Sequence, residues 1–171
     1  MTQAERERLF LDLFRANKAR IHRLCYGYLN SAADAEDLFQ EVMANVWNSL
    51  PRFRGEANPA TWLYRIAVNT ALIYRRRRRP EEPLTEIPDR GGGPHEALEQ
   101  EQQLAALRRA IASLAEGDRL IVALLLEDLS YKEIAEITGM TVNYVGVKIS
   151  RIKQALEQRM VSAAEVTNGR V

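Results

Sequence analysis

The sequence predicts an all-α protein of two small helical domains joined by a flexible acidic linker. Apolar residues recur every three or four positions, and no stretch alternates with period two for long enough to suggest a strand. Between residues 80 and 94 lie four prolines and three consecutive glycines among mostly acidic neighbours, a composition that cannot bury a core. The 171 residues suffice for two units of roughly 60–90 residues each.

The first helix is expected from Gln3 to about Leu29. Thr2 and Glu5 stand at capping-box spacing, and Leu9, Phe10, Leu13, Phe14, Ile21, Leu24, Cys25 and Tyr28 form its buried stripe. Asn30-Ser31 opens a second helix over 32–49, with Asp34, Glu36 and Asp37 near its positive end and Leu38, Val42, Val46 and Leu50 facing the core. The stretch Pro51–Pro59 reads as a loop. Asn58 caps a third helix with Pro59 at its first position, where a missing N–H is harmless, and Pro80 stops it after five arginines. Beyond the linker, helices are expected at about 95–114, 117–127, 131–138 and 142–160, followed by a frayed tail. The domain boundaries that follow are 1–79, linker 80–96, 97–163 and tail 164–171.

Charge is polarised along the chain although the net formal charge is only +1. Residues 52–79 carry eight arginines against one acid, Glu56, while residues 81–101 carry seven acids against one arginine, Arg90. A single cysteine, Cys25, allows no internal disulfide and fits a reducing compartment; it sits on a core stripe, which suits packing better than redox sensing. The start is charged with no apolar run behind it, so no signal peptide is expected. The longest apolar run, Leu120–Leu126, is far short of a bilayer span of about 20 residues. His22 and His95 have no ligand cluster around them, so neither a metal nor another cofactor is expected. A cytoplasmic protein without membrane insertion is the expectation.

The segment 130–153 has the layout of a helix-turn-helix. Ser130 and Glu133 form a capping box, small Ala135 allows close helix approach, Gly139 supplies a left-handed stop, and Thr141 caps the second helix. Val142, Val145, Ile149 and Ile152 are its expected buried stripe. Asn143, Tyr144, Gly146, Val147, Lys148, Ser150 and Arg151 are left on the outer arcs. Such a helix fits the DNA major groove, with Lys148, Arg151 and Lys153 meeting phosphate. An ordinary helical hairpin with a solvated basic face shares this spacing.

In the N-terminal unit, Trp47, Phe53, Trp62, Tyr64 and Tyr74 overlap the basic segment, the pairing of charge and flat surface that single-stranded nucleic acid needs. On the third helix Trp62, Arg65, Asn69 and Arg76 share one side, while Leu63, Ala67, Thr70 and Tyr74 suit the core. Asn69 offers donor and acceptor to a base edge, Trp62 a stacking face and Arg65 a phosphate partner. Successive helical residues point about 100° apart, so only two or three of the arginines Arg75 to Arg79 can touch one strand.

Together these residues resemble a known family. The run Asp34-Ala-Glu-Asp-Leu-Phe-Gln-Glu-Val42, then Trp47, Pro51-Arg-Phe-Arg-Gly55, Thr61-Trp-Leu-Tyr-Arg-Ile-Ala-Val-Asn69 and Ser130-Tyr-Lys-Glu-Ile-Ala135 is similar to the extracytoplasmic-function (ECF) branch of bacterial sigma-70 factors. The resemblance spans roughly residues 8–79 and 97–160. It implies a sigma-2 domain, a linker and a sigma-4 domain, and a non-enzymatic promoter-specificity subunit of RNA polymerase. By position it implies that Asp37, Gln40 and Glu41 dock on the coiled coil of the core polymerase β′ subunit. Phe53, Arg54, Gly55, Trp62, Arg65, Asn69 and Arg76 would melt and read the promoter −10 element, and Thr141, Asn143, Tyr144, Lys148, Arg151 and Lys153 the −35 duplex. The β flap and an anti-sigma factor are further implied partners. Gly146 and Val147 fall where other members place polar or basic base readers, which shifts weight to Asn143, Tyr144 and Lys148.

Two other readings account for less of the chain. A stand-alone DNA-binding regulator would leave the Asp34–Glu41 surface and the aromatic-arginine segment without a role. An enzyme would need a nucleophile–base pair, a phosphate loop or a metal cluster, and the sequence offers none.

Overall fold

The protein is described here by a computed structural model covering residues 2–29, 31–78 and 95–168. Among these residues the regular structure is seven α-helices and one turn of 3-10 helix, with no strand. Helix α1 spans Gln3–Leu29 and starts with the expected capping box: the Thr2 hydroxyl accepts from the Glu5 N–H (3.2 Å), and the Glu5 carboxylate from the Thr2 N–H (2.6 Å). Those bonds hold the Glu5 carboxyl below its ordinary pKa.

Helix α2 (Ala32–Ser49) is capped by Ser31 and runs into a 3-10 turn, Leu50–Arg52. Its predicted stripe is fully inside, Leu38, Val42 and Leu50 being 0% exposed. Burial of one such side chain contributes about 1.5–3 kcal/mol. Helix α3 (Pro59–Arg77) starts where Asn58 accepts from the Ala60 N–H at 2.9 Å, with Pro59 in the first turn. Leu63, Ala67, Thr70 and Tyr74 are buried as their spacing predicts. The three helices pack mutually, and Asn45 of α2 donates to the Thr70 hydroxyl of α3 at 3.0 Å.

The second half comprises α4 (His95–Ala112), α5 (Glu116–Leu125), α6 (Tyr131–Thr138) and α7 (Val142–Asn168). The Ser130–Glu133 capping box forms, and Gly139 takes φ 74° to end α6. The Thr141 hydroxyl then accepts from the Tyr144 N–H at 3.2 Å and starts α7.

Two expectations need correction. Helix α7 does not stop near 160 but continues to Asn168, so most of the expected frayed tail is helical. Residues 161–168 contain no proline or glycine, and the first breaker is Gly169. Val142 was expected in the buried stripe but is 49% exposed, while Val145, Ile149 and Ile152 are buried. Val142 lies in the first turn of α7, ahead of where that helix meets α6 and α5. The expected linker lies outside the described residues as far as 94, and α4 already begins at His95 within its predicted end.

The two halves share one hydrophobic core rather than keeping separate ones. Helix α1 packs on α5, and α3 packs on α6. A Cβ placed on Gly27 would stand 3.7 Å from that of Ala123, which measures how closely α1 and α5 approach. Polar contacts ring this junction. The Arg23 guanidinium donates twice to the carboxylate of Glu127, which is only 4% exposed. The Arg20 Nε lies 3.5 Å from the same carboxylate. Arg75 of α3 pairs with Glu116 of α5 at 3.0 Å. Arg119 of α5 is buried beside the Tyr28 ring (5.8 Å), and that burial lowers its pKa.

Candidate nucleic-acid and polymerase interfaces

The acidic surface is built by α2, whose core stripe points inward and leaves Asp37 and Gln40 exposed and Glu41 half-buried on the outer side. Gln40 reaches the Glu36 carboxylate at 3.4 Å. Glu41 pairs with Arg77 at 3.0 Å, and Asp37 lies 3.4 Å from Arg78. Asp34 also pairs with Arg78, which sits over the Tyr74 ring at 5.0 Å. The arginine block at the end of α3 thus folds back on the α2 acids. Such exposed pairs are each worth about 0.2–1 kcal/mol, weak enough for a cationic partner surface to displace them.

The aromatic-arginine segment is narrower in space than in sequence. Tyr64 and Tyr74 are buried, and Trp47 packs edge-on against Phe10 (5.4 Å) beneath the Arg6 guanidinium (3.9 Å). Those three aromatics belong to the core and its rim. Phe53 and Trp62 remain, both half-buried, with ring centroids 4.8 Å apart. The 3-10 turn and the loop behind it bring Phe53 back over the first turn of α3. Gly55 takes φ 74° in that loop, a conformation that disfavours side chains, and Arg54 beside it is exposed. Farther along α3, Asn69 and Arg76 are exposed. Arg65 is engaged: its Nε donates to the Glu136 carbonyl of α6 (3.0 Å), and Nη2 lies 3.6 Å from the Glu136 carboxylate.

Thr141, which caps α7, and Asn143, Tyr144, Arg151 and Lys153 on it are exposed. Lys148 is half-buried and pairs with Asp118 in the first turn of α5. A groove of about 300 Å³ runs beside it, lined by Leu114, Asp118, Tyr144, Val147, Lys148 and Arg151 among others. Among the described residues no group of His, Cys, Asp and Glu could hold a metal ion, and no helix is long and apolar enough to cross a membrane. Sequence reasoning did not anticipate Arg20, Arg23, Asp118, Glu127 and Glu136. The one local signal was Glu127 itself, an acid closing the apolar run 120–126.

Comparison with known proteins identifies the family. The model of sigma-70 region 2 matches residues 13–81, and that of sigma-70 region 4 matches residues 104–156, which defines a two-region promoter-specificity subunit. The chain is 34% identical over 143 residues to the ECF RNA polymerase sigma-E factor of Escherichia coli (strain K12), covering 75% of each chain. It is 28% identical over 165 residues to the ECF RNA polymerase sigma factor SigW of Bacillus subtilis (strain 168), covering 88% of each. The fold is similar to CnrH in complex with the cytosolic domain of CnrY (TM-score 0.67, 20% identity, 91% of this chain and 90% of that one). It is also similar to the sigma factor RpoE in complex with the anti-sigma factor NepR from Bartonella quintana (TM-score 0.66, 20% identity, 90% and 95%).

The chain belongs to the ECF branch of the sigma-70 family. Its function is promoter-specific initiation of transcription as an RNA polymerase sigma factor, a role without bond chemistry of its own.

Proposed function

We propose that the three surfaces divide this work. Asp37, Gln40 and Glu41 on α2 dock on the β′ coiled coil. Phe53, Arg54, Gly55, Trp62, Arg65, Asn69 and Arg76 melt and read the −10 element. Thr141, Asn143, Tyr144, Lys148, Arg151 and Lys153 read the −35 duplex. The observation that carries the −10 assignment is the Phe53–Trp62 pair at 4.8 Å beside a third helix with Asn69 exposed. An extruded base costs a few kcal/mol, which stacking of about 1–3 kcal/mol per base and hydrogen bonds to its edge offset. Residues 1–79 act as the sigma-2 domain and 97–163 as the sigma-4 domain, which also meets the β flap.

Their packing implies a change of arrangement on the polymerase. A compact chain of this length is about 40 Å across, whereas the 25 base steps separating −35 from −10 span about 85 Å of B-form duplex. The α1–α5 and α3–α6 contacts must therefore part when both elements are read. Membership of the family points to work in the cytoplasm, and control by an anti-sigma factor extends by likeness from RpoE, whose structure holds NepR.

Gel filtration with bacterial core RNA polymerase tests the docking assignment. The wild-type chain is expected to co-elute, and the Gln40→Ala/Glu41→Ala variant to elute separately with its helical circular dichroism unchanged. Co-elution of the variant would move the docking surface elsewhere.

A further inference from the structure

Helix α7 carries an uncharged apolar group where a base-reading side chain is expected. Its buried stripe is Val145, Ile149 and Ile152. At 100° per residue, Asn143 and Val147 lie on the opposite side, four residues apart and one above the other. Both are exposed, Val147 by 43%. Beside them Tyr144 is 52% exposed, so over its first two turns the outer side of α7 offers Val147 as its one exposed aliphatic side chain. Residues 141–150 contain no arginine, the side chain that most often grips guanine, and the single lysine there, Lys148, is paired with Asp118.

The major-groove edge of a base pair presents donors and acceptors at every position but a methyl group only at thymine. A valine facing guanine or cytosine would desolvate polar groups and return no hydrogen bond. Facing thymine, it buries its methyls against the C5-methyl. Asn143 carries the donor–acceptor pair that matches adenine. The rise between residues 143 and 147 is about 6 Å, so their contacts fall within two base steps of 3.4 Å.

We propose that Val147 is a specificity-determining residue of this sigma factor, selecting a thymine by its C5-methyl within two base pairs of an adenine read by Asn143. The proposal rests on the assignment of α7 to the −35 duplex.

The test uses holoenzyme reconstituted from the full chain and core polymerase. Promoters randomised across the −35 region are selected for binding, and each thymine of the enriched element is then replaced singly by uracil, which lacks only the methyl. One replacement is expected to weaken wild-type binding about three- to fivefold, the worth of one buried methyl. Val147→Ala should weaken binding to the thymine duplex similarly, and the same replacement should cost that variant nothing more. Equal losses from uracil in both proteins, or an enriched element without thymine, would overturn the proposal. Selection that enriches no element within the randomised −35 region would instead overturn the −35 assignment, and the proposal with it.

Discussion

Arg23 on α1 grips Glu127, 104 residues later in the chain, with Nε 2.8 Å from Oε1 and Nη2 2.7 Å from Oε2. The carboxylate side chain is only 3% exposed while that of Arg23 is 60% exposed, so the pair closes the junction between the halves at its rim. Glu127→Gln keeps the volume but removes the charge that both Arg20 and Arg23 face. It is expected to destabilise the fold by about 2 kcal/mol, since a hydrogen bond to a charged group contributes roughly 1.5–3 kcal/mol. For a chain of this size that is a fall of several degrees in Tm by calorimetry, about 2–4 °C per kcal/mol. An increase in the radius of gyration by small-angle scattering should accompany it. An unchanged Tm would show that the apolar contact alone holds the halves together.

Asn69 is exposed on α3 and contributes nothing to the core. Asn69→Ala should leave co-elution with core polymerase intact and slow strand opening, read by permanganate reactivity of unpaired thymines. Normal opening by this variant would place the base-reading face elsewhere on α3.

Lys148 and Asp118 make a third prediction, because their pairing holds the lysine against α5. Lys148→Ala should weaken duplex binding and make the dependence of log K on log salt shallower by about one, as for one lost phosphate contact. Asp118→Asn should strengthen binding by releasing the lysine. Filter binding at several salt concentrations measures both.

Burial pushes the Cys25 thiol up to about 12, and the buried Tyr64 phenol also to about 12. Both folded-state values lie above those of the unfolded chain, so the folded state holds these protons more tightly. Their contribution to stability is complete below about pH 8.5, where unfolded cysteine begins to ionise. It is lost as pH rises towards 12, at about 1.4 kcal/mol per pH unit for the thiol. Urea midpoints for the wild type should begin to fall near pH 9. For Cys25→Ala the fall should begin about one unit higher, where unfolded tyrosine starts to ionise. Identical curves would mean the thiol is not sequestered.

Most of the local structure was legible in the residues themselves. Capping boxes at Thr2/Glu5 and Ser130/Glu133, proline at the start of α3 and glycine at the end of α6 each settle a helix boundary within a few residues of chain, which is the range over which backbone hydrogen bonding and φ preferences act. Helical spacing correctly put Leu38, Val42 and Ala67 inside. It failed at Val142, because periodicity reports which side of a helix an apolar residue occupies and not where along its length the neighbouring helix begins. Composition likewise marked Trp47 and Tyr64 as possible base partners, and only packing shows that they are committed to the core and its rim.

What the sequence determined by itself was the all-helical class, the order of the helices and the family, since each rests on local preferences and on residues in fixed register. What only the tertiary structure decided was the pairing of Arg23 with Glu127, of Arg65 with Glu136 and of Lys148 with Asp118, and the fusion of the two halves into one core. These contacts join residues 30 to 104 positions apart, and no local rule selects among the many oppositely charged residues available. Burial of apolar surface between α1 and α5 brings the helices together, and the charges then pair with whatever that packing places beside them.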